Sequence, residues 1–328
     1  MKLDDIGFYT LSDKRVKQVS LTSPMWRGEL IVTGKCNFKC PYCRGTPKIT
    51  QSLKDHLKII QLWAEYGLKN IRFSGGEPTV YPYLIKLVDK AKELKCEHIA
   101  ISTNGSADIS VYLNLIRHGV NDFSVSLDAC CSSTGDTMAG ISLDWNRIIY
   151  NIRRLSEKVY TTVGIVLTKN NINEVNKTIY LAHTLGVSDI RVIPAAQETS
   201  ILKNLSVSQN ILESHPILNY RINNMKQKKN VRGLTEKDSN KCPLVLDDSA
   251  VMNGRHYPCI IYLREKGKPI GKVSNKMRLE RFRWFSEHKT HNDIICKNNC
   301  LDVCIEYNNE FKKKNSIGKV RPCLFSLA

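Results

Sequence analysis

The chain has 328 residues, 42% of them hydrophobic, with 49 lysines and arginines against 31 acidic residues, a formal net charge of +18. That length can bury a substantial core as one large domain or two smaller ones, and the chain holds no apolar run long enough to predict a membrane span. The start, Met1 to Ser20, mixes charges and lacks the apolar centre of a signal peptide, so the expected location is the cytoplasm. A basic balance suits nucleic acid, an anionic metabolite or an acidic peptide, and equally a solvated lysine-rich surface.

Residues 1–27 read as an N-terminal extension. From residue 28, short apolar runs alternate with amphipathic stretches. The expected strands are Glu29–Thr33, Asn70–Phe73, His98–Ser102, Asp122–Leu127, Thr161–Leu167 and Asp189–Ile193. The expected helices are Ser52–Tyr66, Pro82–Lys95 with its proline in the first turn, Ile109–His118, Asp144–Lys158 and Ile172–Leu185. Repeated strand-then-helix units predict an α/β fold with parallel strands and right-handed crossovers. Six units over residues 28–225 suggest an open, partial (β/α)6 TIM-like barrel, although periodicity alone leaves a doubly wound sheet open. Either architecture places a site at the carboxyl ends of the strands. Residues 226–241 read as a polar linker, and 242–328 as a small cysteine-rich domain stapled by metal.

Nine of the twelve cysteines fall in two groups, Cys36, Cys40 and Cys43, then Cys242, Cys259, Cys296, Cys300, Cys304 and Cys323. In a reducing compartment such clusters read first as metal ligands. Cys36, Cys40 and Cys43, spaced C-x₃-C-x₂-C directly after the first expected strand, can each bind one iron of a [4Fe–4S] cluster. The fourth iron then lacks a protein ligand, and an open position marks a chemically working centre. A three-cysteine zinc site with a distant fourth ligand is the competing reading.

With Tyr42 in its aromatic position, this loop resembles the signature of the radical S-adenosylmethionine (SAM) superfamily. The resemblance implies that the open iron holds the amino and carboxylate groups of SAM. Reductive cleavage would then yield a 5′-deoxyadenosyl radical. Ser74-Gly75-Gly76-Glu77-Pro78 resembles the family's Gly-Gly-Glu motif, which implies contact of Gly75, Gly76 and Glu77 with the SAM amino group. Thr103 and Asn104 resemble its Thr-Asn-Gly segment. The resemblance extends to Ser126 as a polar contact, and to Val166 and Ile193 as apolar atoms near the adenine, or as plain core. Asp128 either orients a loop or contacts a ligand. Cys130 and Cys131, at the expected rim of the site, could donate hydrogen to a substrate radical, hold substrate covalently, or serve as small hydrophobes. Cys96 reads as structural.

The second cysteine group resembles parts of the SPASM and twitch extensions of this family, with one cysteine fewer than the full SPASM pattern. That resemblance implies one auxiliary [4Fe–4S] cluster, or two, against a zinc-knuckle alternative. The expected function is hydrogen abstraction from a ribosomal peptide or protein, or from a small anionic metabolite, with a flavodoxin- or ferredoxin-type reductant. Only 35 residues precede Cys36, short for the winged-helix leader-binding domain of many peptide-modifying members. A radical SAM enzyme of RNA or nucleotides, without a recognisable RNA-binding module, and a non-catalytic iron–sulfur protein are the alternatives.

Overall fold

The computed structural model describes residues 13–196 and 205–317. Six strands run parallel: β1 (Arg27–Thr33), β2 (Asn70–Gly75), β3 (His98–Thr103), β4 (Asp122–Ser126), β5 (Tyr160–Leu167) and β6 (Asp189–Pro194). They lie in the order β6-β5-β4-β3-β2-β1. Each new strand adds beyond the last with no reversal, which is a single-wound partial barrel and rules out the doubly wound alternative.

The pleat explains why. Alternate residues Leu30 and Val32, Ile71 and Phe73, Ile99 and Ile101, Phe123 and Val125, Val163 and Ile165, and Ile190 and Val192 share one buried core with Trp63, Leu87, Tyr112, Leu115, Ile152 and Ile179 from the helices. One core on one face means that the helices cover that face alone. The other, concave face carries polar groups. Glu29, Arg72, Ala100, Asp122 and Tyr160 stand side by side in register across β1 to β5.

Local chemistry sets the helix starts. Ser52 and Asp55 form a reciprocal capping box, Ser52 Oγ accepting from Asp55 N at 3.2 Å and Asp55 Oδ2 from Ser52 N at 3.0 Å. Asp108 and Asp144 cap the helices Ile109–His118 and Trp145–Ser156, each accepting from a backbone N–H of the first turn. Two expectations are corrected. The helix expected at Pro82–Lys95 spans Leu84–Glu93 and begins after Pro82. A helix at Ser132–Ala139 escapes prediction because its serines, threonines and glycine carry no apolar period.

Past β6, helices span Gln209–Ser214 and Pro216–Lys226. The expected linker packs onto the C-terminal part: Arg232 bridges Leu301, and Asn240 O accepts from Thr290 N at 3.0 Å. A seventh strand, β7 (Asp248–Met252), pairs parallel with β1 on its free edge, and β8 (Arg255–Tyr257) and β9 (Gly271–Lys272) follow antiparallel. The cysteine-rich part is thus joined to the barrel through one continuous sheet.

It has more than cysteine to hold it. The fully buried Arg281 guanidinium donates to the carbonyls of Val245, Asp248, Tyr257 and Pro258, gathering two chain segments on one rigid fork. Arg15, in the helix Asp13–Gln18, makes a bidentate pair with Asp247 at 2.8 Å through both nitrogens. Among the described residues no helix is long and apolar enough to cross a membrane.

Candidate functional site

Two cavities open on the concave face. The first, of about 290 Å³, lies at the carboxyl ends of the strands and is lined by Cys36, Cys40, Cys43, Tyr42, Gly75, Gly76, Glu77, Thr103, Asn104, Ser126 and Val166 among others. The loop that carries the cysteines is fixed by close backbone contact. Gly76 N donates to Thr33 O and Glu77 N to Lys35 O, both at 2.8 Å. A Cβ on Gly75 would stand 2.3 Å from Thr33 O, and one on Gly76 2.1 Å from Lys35 O. The paired glycines therefore admit the cysteine loop itself, a role that their spacing alone does not reveal.

Glu77 is 1% exposed and holds the other side of that loop. Its Oε1 accepts from Thr79 N (3.1 Å), Thr79 Oγ1 (2.7 Å) and Thr103 Oγ1 (2.8 Å), and its Oε2 from Asn104 N (2.7 Å). Burial raises its carboxyl pKa, and the hydrogen bonds oppose that rise. Oε2, with a single protein donor, keeps a lone pair for a cationic ligand. Asn104 Nδ2 in turn donates to Asn37 Oδ1 at 2.9 Å, fastening the residue next to Cys36.

Tyr42 donates its hydroxyl to Asp128, whose other oxygen accepts from Val166 N at 2.6 Å. Asp128 thus joins the cysteine loop to β5. Burial pushes its carboxyl up to about 6. Phe38 N and Gly45 N point at the Cys36 and Cys43 sulfurs at 3.4 and 3.3 Å, the kind of N–H···S contact that tunes an iron–sulfur centre.

Several lining residues have no counterpart among the sequence expectations. Ser102 and Ser124 occupy inward positions that strand parity could have flagged. Met138, Leu143 and Trp145 form an apolar wall from the unexpected helix and its exit. Arg264 reaches in from the C-terminal part, donating to Gly75 O and Thr46 Oγ1 at 3.3 Å.

The second cavity, of about 230 Å³, gathers Cys242, Cys259, Cys296, Cys300 and Cys304 with Arg27, Glu29, Arg72, Arg191 and Ile193. Ile193 lines this cavity, while its register partner Val166 lines the first. Cys323 lies outside the described residues. Burial and mutual repulsion push the Cys242, Cys259 and Cys296 thiols up, Cys242 to about 12. Cys300 rises too, chiefly through its hydrogen bond to Cys304. Thiols crowded this way call for a cation to discharge them. A single tetrahedral zinc with bonds near 2.3 Å would set its sulfurs about 3.8 Å apart. Among the described residues, no three cysteine sulfurs in either group lie within 4.8 Å of one another. The donor atoms of His288, Asp293 and Cys296 do lie within 4.8 Å of one another.

Cys130 and Cys131 line neither cavity. The loop turns them outward to Glu174, whose Oε2 lies 3.6 Å from Cys130 Sγ, which removes them from the rim expected of hydrogen donors. Hydroxyls of Ser133 and Thr134 bring the Cys131 thiol down to about 7, while burial and Glu174 hold Cys130 up near 11. Thiolate is the nucleophile, so alkylation of Cys131 should rise with pH through 7 and then level off. Alkylation of Cys130 should keep climbing past pH 9. Anaerobic iodoacetamide labelling with peptide mapping checks this, and identical profiles would contradict it.

Fold and site together define a single-wound α/β half-barrel with an iron–sulfur-type loop at its strand ends. Residues 30–182 match the family model described as the Radical SAM superfamily, so this segment carries a Radical SAM domain. Members of that superfamily use SAM and a [4Fe–4S] cluster. The chain is 28% identical over 171 residues to a probable GTP 3′,8-cyclase of Saccharolobus islandicus, covering 50% of this chain and 55% of that one. It is 24% identical over 169 residues to the Metallosphaera sedula counterpart, covering 49% and 53%. The chain thus spans about half the length of the curated relatives it matches. In fold it is similar to Streptococcus suis SuiB bound to S-adenosylmethionine, with a TM-score of 0.58, 17% identity, and coverage of 85% of this chain and 69% of that one. It is also similar to anSMEcpe with bound AdoMet, with a TM-score of 0.55, 16% identity, and coverage of 89% and 97%.

Proposed function

We propose that this chain is a radical SAM enzyme acting on a substrate with an anionic group, held on the concave face between two iron–sulfur centres. Cys36, Cys40 and Cys43 would carry the SAM-binding cluster, and the thiols of the second cavity one auxiliary cluster. With SAM and its cluster bound, the site would supply reductive radical chemistry that abstracts hydrogen from the substrate. Glu77 Oε2 and the strand-end hydroxyls would orient SAM. Met138, Leu143 and Trp145 would exclude water from its apolar half.

The carrying observation is the pair of guanidiniums between the cavities. Ser74 and Ser124 line the first cavity, while Arg72 and Arg191 line the second. Ser74 follows Arg72 on the same face of β2, about 7 Å further along. Arg191 donates to Ser124 Oγ, and to Thr162 Oγ1 at 3.2 Å, so the two spaces meet through it. Burial and the neighbouring Arg191 lower the Arg72 pKa to about 10, while Asp122 and Glu29 beside it oppose that shift. Buried atoms without a hydrogen-bond partner, Arg191 Nε, Asp122 Oδ1 and Tyr160 Oη, surround the same place.

A nucleoside phosphate and an acidic peptide both meet this chemistry, and the GTP 3′,8-cyclase relatives favour the nucleotide. The test is anaerobic, dithionite-driven turnover with GTP or an acidic peptide offered as substrate. Arg191→Met should raise the substrate KM about tenfold or more, the loss of a charge-assisted hydrogen bond, and shift it more than the KM for SAM. Wild type that makes no 5′-deoxyadenosine under any condition would leave the non-catalytic reading standing.

A further inference from the structure

The loop after β4 and the loop after β5 meet outside the first cavity, where Cys130, Cys131 and Glu174 converge. Their three donor atoms all lie within 4.8 Å of one another. The spacing of Cys130 Sγ and Glu174 Oε2, 3.6 Å, matches the edge of a tetrahedron with zinc–sulfur bonds of about 2.3 Å and zinc–oxygen bonds of about 2.0 Å, which is about 3.5 Å. All three groups are half-buried, within reach of an ion and shielded from bulk water. Thr134 Oγ1 donates to Glu174 Oε2 at 2.6 Å and lies 3.5 Å from Cys131 Sγ, orienting two of the three donors from one hydroxyl.

We propose that Cys130, Cys131 and Glu174 form a zinc site, with water in the fourth position, that clamps these two loops. Two thiolates and a carboxylate are a donor set that zinc accepts. An ion there would also turn the mutual repulsion of Glu174 and the thiolates into attraction. The clamp has a defined place in the molecule. Asn171 Nδ2 already ties the same loops, donating to Asp128 O and Val166 O at 2.8 Å. Asp128 and Val166 wall the first cavity and Ala129 stands between Asp128 and Cys130. Zinc would double that tie just beyond the wall. The site is separate from both cysteine groups, so the proposal stands whether or not the enzymatic reading holds.

The experiment uses protein whose iron–sulfur centres are loaded and counted, so that zinc has no vacant cluster ligands to occupy. Anaerobic equilibrium dialysis against zinc chloride should add one zinc per chain without loss of iron. In the same wild-type sample, zinc should slow alkylation of Cys130 and Cys131 at least about tenfold, because metal-bound thiolate is withdrawn from reaction. Cys96 should label at an unchanged rate. A Cys130→Ser, Cys131→Ser double variant should lose the added zinc, and Glu174→Gln should weaken its binding at least about tenfold. Wild type that takes up no zinc, or whose Cys130 and Cys131 alkylate equally fast with and without it, would overturn the proposal.

Discussion

Replacing Cys36, Cys40 and Cys43 together by alanine is expected to abolish SAM cleavage while leaving the second iron centre in place. The three thiols line the first cavity, and the five thiols Cys242, Cys259, Cys296, Cys300 and Cys304 surround the other. Among the described residues no cysteine belongs to both. With one auxiliary cluster, iron should fall from about eight to about four atoms per chain, since each [4Fe–4S] cluster carries four irons. 5′-Deoxyadenosine should fall to the level of a protein-free control. The fold should survive, because Cys36 and Cys43 are exposed and their loop is held by Gly76, Glu77 and Asn104. Iron counting and chromatography of the SAM products read both quantities from one sample. Undiminished 5′-deoxyadenosine would disprove radical generation at this loop, and loss of all iron would mean that the two centres are not independent.

The half-barrel was legible because buried parallel strands have a simple requirement. Leu30 and Val32 or Ile99 and Ile101 must meet helices, and nothing else in the chain can cover them. The three-cysteine loop was legible because its spacing is local. What required the fold was everything that depends on distant register. Nothing in Asp248–Met252 announces that it will pair with β1, since a short strand on a free edge needs only a compatible pleat. Ile193 was expected near the adenine or as plain core, and only the fold shows it lining the second cavity while its register partner Val166 lines the first. Cys130 and Cys131 follow a strand end closely enough to suggest the rim. The helix that starts at Ser132 turns them instead toward Glu174, a residue more than forty positions away. The role of Gly76 was half legible. A glycine pair signals close backbone approach, and only the structure shows that Lys35 O is what approaches.

Glu77 offers the second large effect, and two substitutions separate its structural and ligand-binding roles. In Glu77→Ala, Asn104 N loses its acceptor in a buried place, and Thr79 N and Thr79 Oγ1 lose theirs in a half-buried one. Thr103 keeps Tyr112, whose hydroxyl lies 3.0 Å away. At roughly 1–3 kcal/mol for an orphaned buried donor, Asn104 N alone costs that much, and the half-buried Thr79 donors add less. The loss should appear as a drop of several degrees in the thermal midpoint, together with poor iron incorporation as the cysteine loop comes free. Glu77→Gln retains an oxygen for the three donors that Oε1 now serves and sets its amide against Asn104 N alone. That is one lost bond and one donor–donor contact, so its midpoint should lie between wild type and Glu77→Ala. Its iron content should stay near wild type, while its affinity for SAM falls about tenfold or more with the loss of the carboxylate charge. Calorimetry, iron counting and SAM titration distinguish the two variants. Glu77→Ala melting with wild type would show that the four hydrogen bonds are dispensable. Glu77→Gln binding SAM as tightly as wild type would show that the carboxylate serves the loop and not the ligand.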